Sequence, residues 1–111
     1  MTILQLIASD SFITVNKKLI KEIGFKEALM FGLLASEYEY WRTHNGFTKD
    51  GYFFLTIEKA EEITTLSEYQ QRKVLNHLQE LGLITVKVRG LPAKRYIKVN
   101  EAATRKFLLS K

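Results

Sequence analysis

Residues 66–99 read LSEYQQRKVLNHLQELGLITVKVRGLPAKRYIKV, and the fold is decided here. Ser67 can accept a backbone N–H bond as a helix N-cap, and the helix it starts is expected to run to about Leu81, with Val74, Leu75, Leu78 and Leu81 as its apolar stripe. Gly82 follows where a left-handed residue costs little. Leu83 to Val88 then alternates, Arg89-Gly90-Leu91-Pro92-Ala93 is turn chemistry, and Lys94 to Val99 alternates again. Two alternating runs around a Gly/Pro turn make a β-hairpin, here with a basic tip.

Working upstream, Thr64, Thr65 and Leu66 form a short connection from an earlier helix. Thr56 can cap that helix, although Lys59 three residues on gives no capping box, and Ile57, Ala60 and Ile63 are expected to be its buried side. Helix, short turn, helix is the requirement of a helix-turn-helix. Tyr52 to Leu55 reads as a short strand, and Thr43 to Gly51 as an exposed loop, because Asn45-Gly46 and Asp50-Gly51 are turn signals. From Phe25 to about Arg42 the apolar residues cover far more than one helical face, so this helix is either central in the core or shared with a second subunit. Phe12 to Asn16 suits a short strand, and Lys17 to Ile23 one or two helical turns closed by Gly24; residues 1–24 are a lead-in. Residues 100–111 read as a final short helix or a frayed tail.

With 111 residues, the chain suits one domain spanning 1–111, since two independent cores would each be too small. It has no cysteine, which removes disulfides and thiolate metal sites and suits a reducing cytoplasm. The apolar stretch Met1 to Ala8 lacks a basic leader, is interrupted by Gln5 and is far shorter than a bilayer span, so neither a signal peptide nor a membrane anchor is expected. The net charge of +5 is unevenly spread: residues 1–64 carry seven Lys/Arg and nine Asp/Glu, whereas residues 65–111 carry ten and three. The basic half is the half with the helix and hairpin, which points to a polyanionic partner.

Taken together, the elements outline an α+β fold, a winged helix-turn-helix with a C-terminal β-hairpin wing. In such a fold the second helix presents its N-terminal half to the major groove and the hairpin lies on phosphate or in the minor groove. Away from the apolar stripe, the helix offers Ser67, Tyr69, Gln70, Arg72, Lys73 and Asn76 as the DNA-binding set, with Glu68 and His77 also facing outward. Arg72 and Lys73 can donate to guanine O6 and N7, Gln70 and Asn76 can pair with adenine, and Tyr69 can touch sugar or a thymine methyl. Lys87, Arg89, Lys94 and Arg95 are the phosphate-holding set on the wing.

The runs Leu66 to Leu75, Leu81-Gly82-Leu83-Ile84 and Gly90-Leu91-Pro92-Ala93-Lys94-Arg95-Tyr96 resemble the winged-helix module of replication initiators and replisome organisers of phages and plasmids of Gram-positive bacteria, over roughly residues 12–100. The resemblance implies binding of double-stranded DNA at an origin, with replisome proteins as further partners. One departure is Gln71, at a place where many winged helices bury Val or Ile; its side chain is expected either in the core or at the DNA side, a difference of one residue in helix register. A transcriptional regulator of similar fold, and a winged helix used only to bind protein, are the alternatives.

Nothing reads as an active site. His44 and His77 have no metal-ligand spacing and no Gly-rich phosphate loop follows a strand. Glu61-Glu62 and Glu37/Glu39 are expected on solvated helix faces, and Trp41 with Tyr38 and Tyr40 in the core or at its margin. No enzymatic activity, cofactor or metal is expected. Self-association through the Phe25–Arg42 helix or the N-terminal strand is expected, giving a homodimer.

Overall fold

The computed structural model describes residues 1–9 and 11–110, and its elements run α1 (Ile3–Ala8), α2 (Lys17–Ile23), α3 (Phe25–Thr43), β1 (Phe53–Phe54), α4 (Ile57–Thr64), α5 (Glu68–Glu80), β2 (Ile84–Arg89), β3 (Lys94–Val99) and α6 (Glu101–Leu109). The architecture is mixed α and β, with six helices among the described residues and one antiparallel sheet in the order β1-β3-β2. It is compatible with the winged arrangement expected from the sequence. No described helix is long and apolar enough to cross a membrane.

The breadth of apolar residues on α3 is used within the chain. Ala28, Met30, Phe31, Gly32, Leu33 and Leu34 are all buried, because α2, α4, α5 and the sheet pack around this one helix. Phe53, Leu55, Leu78, Leu83 and Ile97 close the core from the other elements. At Gly24 a positive φ lets its N–H end α2 on the carbonyls of Leu19 and Ile20 while the chain turns directly into α3.

Several expectations are corrected. Residues 12–16 form no strand: they lie against α3 at Gly32, where a Cβ would stand 2.2 Å from the Thr14 carbonyl oxygen and 2.7 Å from Ile13 Cγ2. A helix face offers no ladder of hydrogen bonds, so β-branched composition alone does not make a strand there. On α4 the buried residues are Ala60 and Thr64, Ile57 is half-buried at the groove beside α5, and Ile63 turns outward; the Thr64 hydroxyl is accommodated by donating to the Ala60 carbonyl at 2.7 Å. On α5 the stripe is Gln71, Val74, Leu75 and Leu78, leaving Leu81 exposed at the C-cap. Gln71 is completely buried, and its Nε2 donates to the carbonyls of Leu66 at 2.9 Å and Ile57 at 3.1 Å. The amide thus ties α5 to both ends of the preceding helix and turn, a role that Val or Ile cannot fill.

Glu37 is also not on a solvated face. It is buried on α3 and held by Lys59 Nζ of α4 at 3.0 and 3.2 Å. The tail resolves as a helix: Asn100 caps α6 through the Ala103 N–H, and Ala103, Phe107 and Leu108 pack on the core. Lys18 of α2 reaches the carbonyl and hydroxyl of Ser110, fastening the end of α6.

Candidate nucleic-acid interface

Helix α5 begins with a reciprocal cap. The Gln70 N–H donates to Ser67 Oγ at 3.2 Å, and the Ser67 N–H donates to Gln70 Oε1 at 2.9 Å. Two helix-end donors are satisfied this way. Of the expected DNA-binding set, Ser67 and Gln70 thus each give one side-chain oxygen to the other's backbone N–H at the helix start. The Ser67-x-x-Gln70 spacing carried that signal.

With Gln71, Val74, Leu75 and Leu78 inward, 3.6-residue periodicity places Tyr69, Arg72, Lys73 and Asn76 together on the exposed side. Arg72 Nη2 lies 3.1 Å from Glu68 Oε2, with both side chains about 60% exposed, so the pair adds little stability and leaves Arg72 able to exchange partners. Lys73 Nζ sits 5.9 Å from the Tyr69 ring centre. Asn76 Oδ1 accepts a long bond from Gln79 Nε2 at 3.5 Å. His77 is diverted: its Nδ1 is 2.6 Å from Glu27 Oε2 on α3.

Strand alternation divides the hairpin cations between two faces. Opposed pairs Val86↔Ile97 and Val88↔Arg95 face α5, whereas Thr85↔Lys98 and Lys87↔Tyr96 face away; near the tip Arg89 also reaches the outward side, while Lys94 lines the groove beside α5. Between α5 and the hairpin runs a groove of about 420 Å³ lined in part by Arg72, Asn76, Gln79, Val86, Val88 and Arg95. Arg95 therefore lies along the groove instead of on a free tip. It is partly buried, Nη2 contacts the Thr56 carbonyl at 3.5 Å, Nε has no hydrogen-bond partner, and burial lowers its pKa against the opposing pull of Glu58 and Glu68.

On the outward face Lys87 Nζ and Arg89 Nη2 both reach Asp50 Oδ2, at 3.4 and 3.2 Å. They also stand over the Tyr52 ring, 4.6 and 5.9 Å from its centre, with Lys98 at 5.8 Å; Lys94 stands 5.4 Å from the centre of the Phe54 ring. The hydrogen bond from the Thr48 hydroxyl, at 2.6 Å, is the largest influence on Asp50 and with Lys87 and Arg89 brings its pKa down to about 2. Lys98 was missed at the sequence level, although alternation from Lys94 through Tyr96 puts it in phase. Asp50 gave no such signal, because its partners are 37 and 39 residues away.

Among the described residues no group of three or more His, Cys, Asp or Glu could hold a metal ion. No protein-family model and no curated protein sequence matches the chain. Solved structures share its fold, among them the following two. A Rep–DNA complex superposes with a TM-score of 0.67 at 19% identity, over 91% of this chain and 82% of that one. The N-terminal domain of a DNA-binding protein superposes with a TM-score of 0.65 at 19% identity, over 97% of this chain and 91% of that one. At such identity the likeness establishes a common fold and leaves the function to be argued from the surface.

Proposed function

We propose that this chain is a winged-helix module that binds double-stranded DNA in a sequence-recognising way, with α5 as the recognition helix and the β2–β3 hairpin as the wing. The observation that carries the reading is the juxtaposition of Tyr69, Arg72, Lys73 and Asn76 on one exposed face of α5 with Lys94 and Arg95 of the hairpin, which line the groove beside that helix. Arginine and asparagine supply base-edge recognition, and the lysines neutralise phosphate. The fold shared with a Rep–DNA complex supports a role in replication initiation, and the Gly90–Tyr96 resemblance supports phage or plasmid replication in Gram-positive bacteria. The proposed action is binding alone, without cofactor, metal or catalytic step.

Titration of labelled duplex at several ionic strengths tests this. Affinity should fall with a log–log slope of about 0.9 per phosphate neutralised. A flat response, or no binding at low salt, would overturn the reading in favour of a protein-binding module. A footprint confined to a promoter, instead of DNA that supports replication, would favour the regulator. Self-association through α3 or the N-terminal segment at residues 12–16 is part of the same proposal; sedimentation showing only monomer at micromolar concentration would remove it.

A further inference from the structure

We propose that the sheet face turned away from α5 is a second phosphodiester-binding track, and that Asp50 holds it partly closed; the inference rests on the duplex-binding reading above. Lys87, Arg89 and Lys98 project from this face around Tyr52, with Lys94 at its edge beside Phe54. Tyr52 is almost inaccessible, 6% exposed, so the face does not offer a free ring for base stacking. What it offers is a row of ammonium and guanidinium groups held over aromatic faces, the arrangement that suits a run of phosphates.

The row lies across the hairpin from the groove beside α5, because successive strand residues point to opposite faces. A straight duplex seated on α5 reaches the groove side, lined by Arg72, Asn76 and Arg95. The outward row therefore takes a second DNA segment, either farther along a bent duplex or on another molecule.

Asp50 is the carboxylate paired with this row. One of its oxygens is shared by Lys87 and Arg89, and the other accepts from the Thr48 hydroxyl. Since an incoming phosphate needs the same two cations, Asp50 competes with DNA for them. Its carboxyl, with a pKa of about 2, stays charged throughout the physiological range, so the competition is permanent and not switched by pH. The carboxylate trims non-specific affinity until a correctly placed segment displaces it.

The test compares the full chain with Asp50→Asn, Lys98→Gln and Lys87→Gln on duplexes of about one and about three helical turns, at several salt concentrations. Asn keeps an acceptor for Thr48 while removing the charge. On the long duplex, Asp50→Asn should bind severalfold tighter, with a salt slope steeper by about 0.9 for each phosphate gained, and both lysine variants should bind severalfold more weakly with a shallower slope. On the short duplex all three should match the unaltered chain within about twofold. If the unaltered chain binds but none of the three differs on the long duplex, the track is overturned while the DNA reading stands. Equal effects on both duplexes would mean a single binding face, and failure of the unaltered chain to bind either duplex overturns both. Lys98→Gln and Lys87→Gln decide the matter alone if Asp50→Asn does not fold.

Discussion

Gln79 Oε1 accepts the backbone N–H of Val86 at 3.0 Å, so a side chain in the last turn of α5 completes the hydrogen bonding of β2. The strand order β1-β3-β2 leaves β2 at the sheet edge, where an outward N–H has no neighbouring strand. The bond fixes the angle between the helix proposed to enter the major groove and the hairpin proposed to follow the backbone. Gln79→Ala should cost about 1–2 kcal/mol of stability, and faster hydrogen exchange at Val86 than at Ile97 would locate the loss.

Gly32 marks the crossing of the N-terminal segment over α3. In an open helix Gly→Ala gains about 1 kcal/mol, but here the new methyl meets the Thr14 carbonyl and Ile13. Gly32→Ala should therefore lower stability by about 1–3 kcal/mol, read as a fall in melting temperature. A rise would show that residues 12–16 can lift off without loss.

Gln71→Leu keeps the bulk and removes the donor to Leu66 and Ile57. The result should be a loss of about 1–3 kcal/mol, since the buried carbonyls lose a partner that leucine cannot replace. Equilibrium denaturation measures it, and an unchanged midpoint would assign Gln71 a packing role alone.

The Asp50 carboxyl should titrate near pH 2, well below the ordinary 3.8. Because its folded pKa is depressed, its contribution to stability is full above pH 3.8 and fades as the pH falls towards 2. Carboxyl NMR shifts would follow this directly. Thr48→Val should move the midpoint upward, as the hydroxyl is the largest cause of the depression.

Arg72→Ala or Asn76→Ala should cost about 1–3 kcal/mol on the preferred duplex and much less on random DNA. Lys94→Ala should weaken both by a similar factor and lower the salt slope by about one contact. Each comparison requires an unchanged melting curve. If the lysine variant erased discrimination while the helix variants did not, the hairpin would be the reader.

The sequence by itself determined the order of elements from Thr56 to Val99, because the Ser67 cap, Gly82 and the turn at Gly90 act through local backbone geometry. It also determined that the cations cluster in the helix-and-hairpin half. Only the tertiary structure decided how they are divided. Whether Gln71 was inside depended on its Nε2 donor finding carbonyl acceptors at Ile57 of the preceding helix and Leu66 of the turn, and whether residues 12–16 made a strand depended on a neighbour that turned out to be a helix. Arg95 and Lys87 lie on strands with the same basic character, yet one is drawn into a groove and the other is paired with Asp50 from a distant loop. Sequence records spacing along the chain, whereas burial and pairing depend on what the fold brings from elsewhere, and those contacts span 39 and 37 residues.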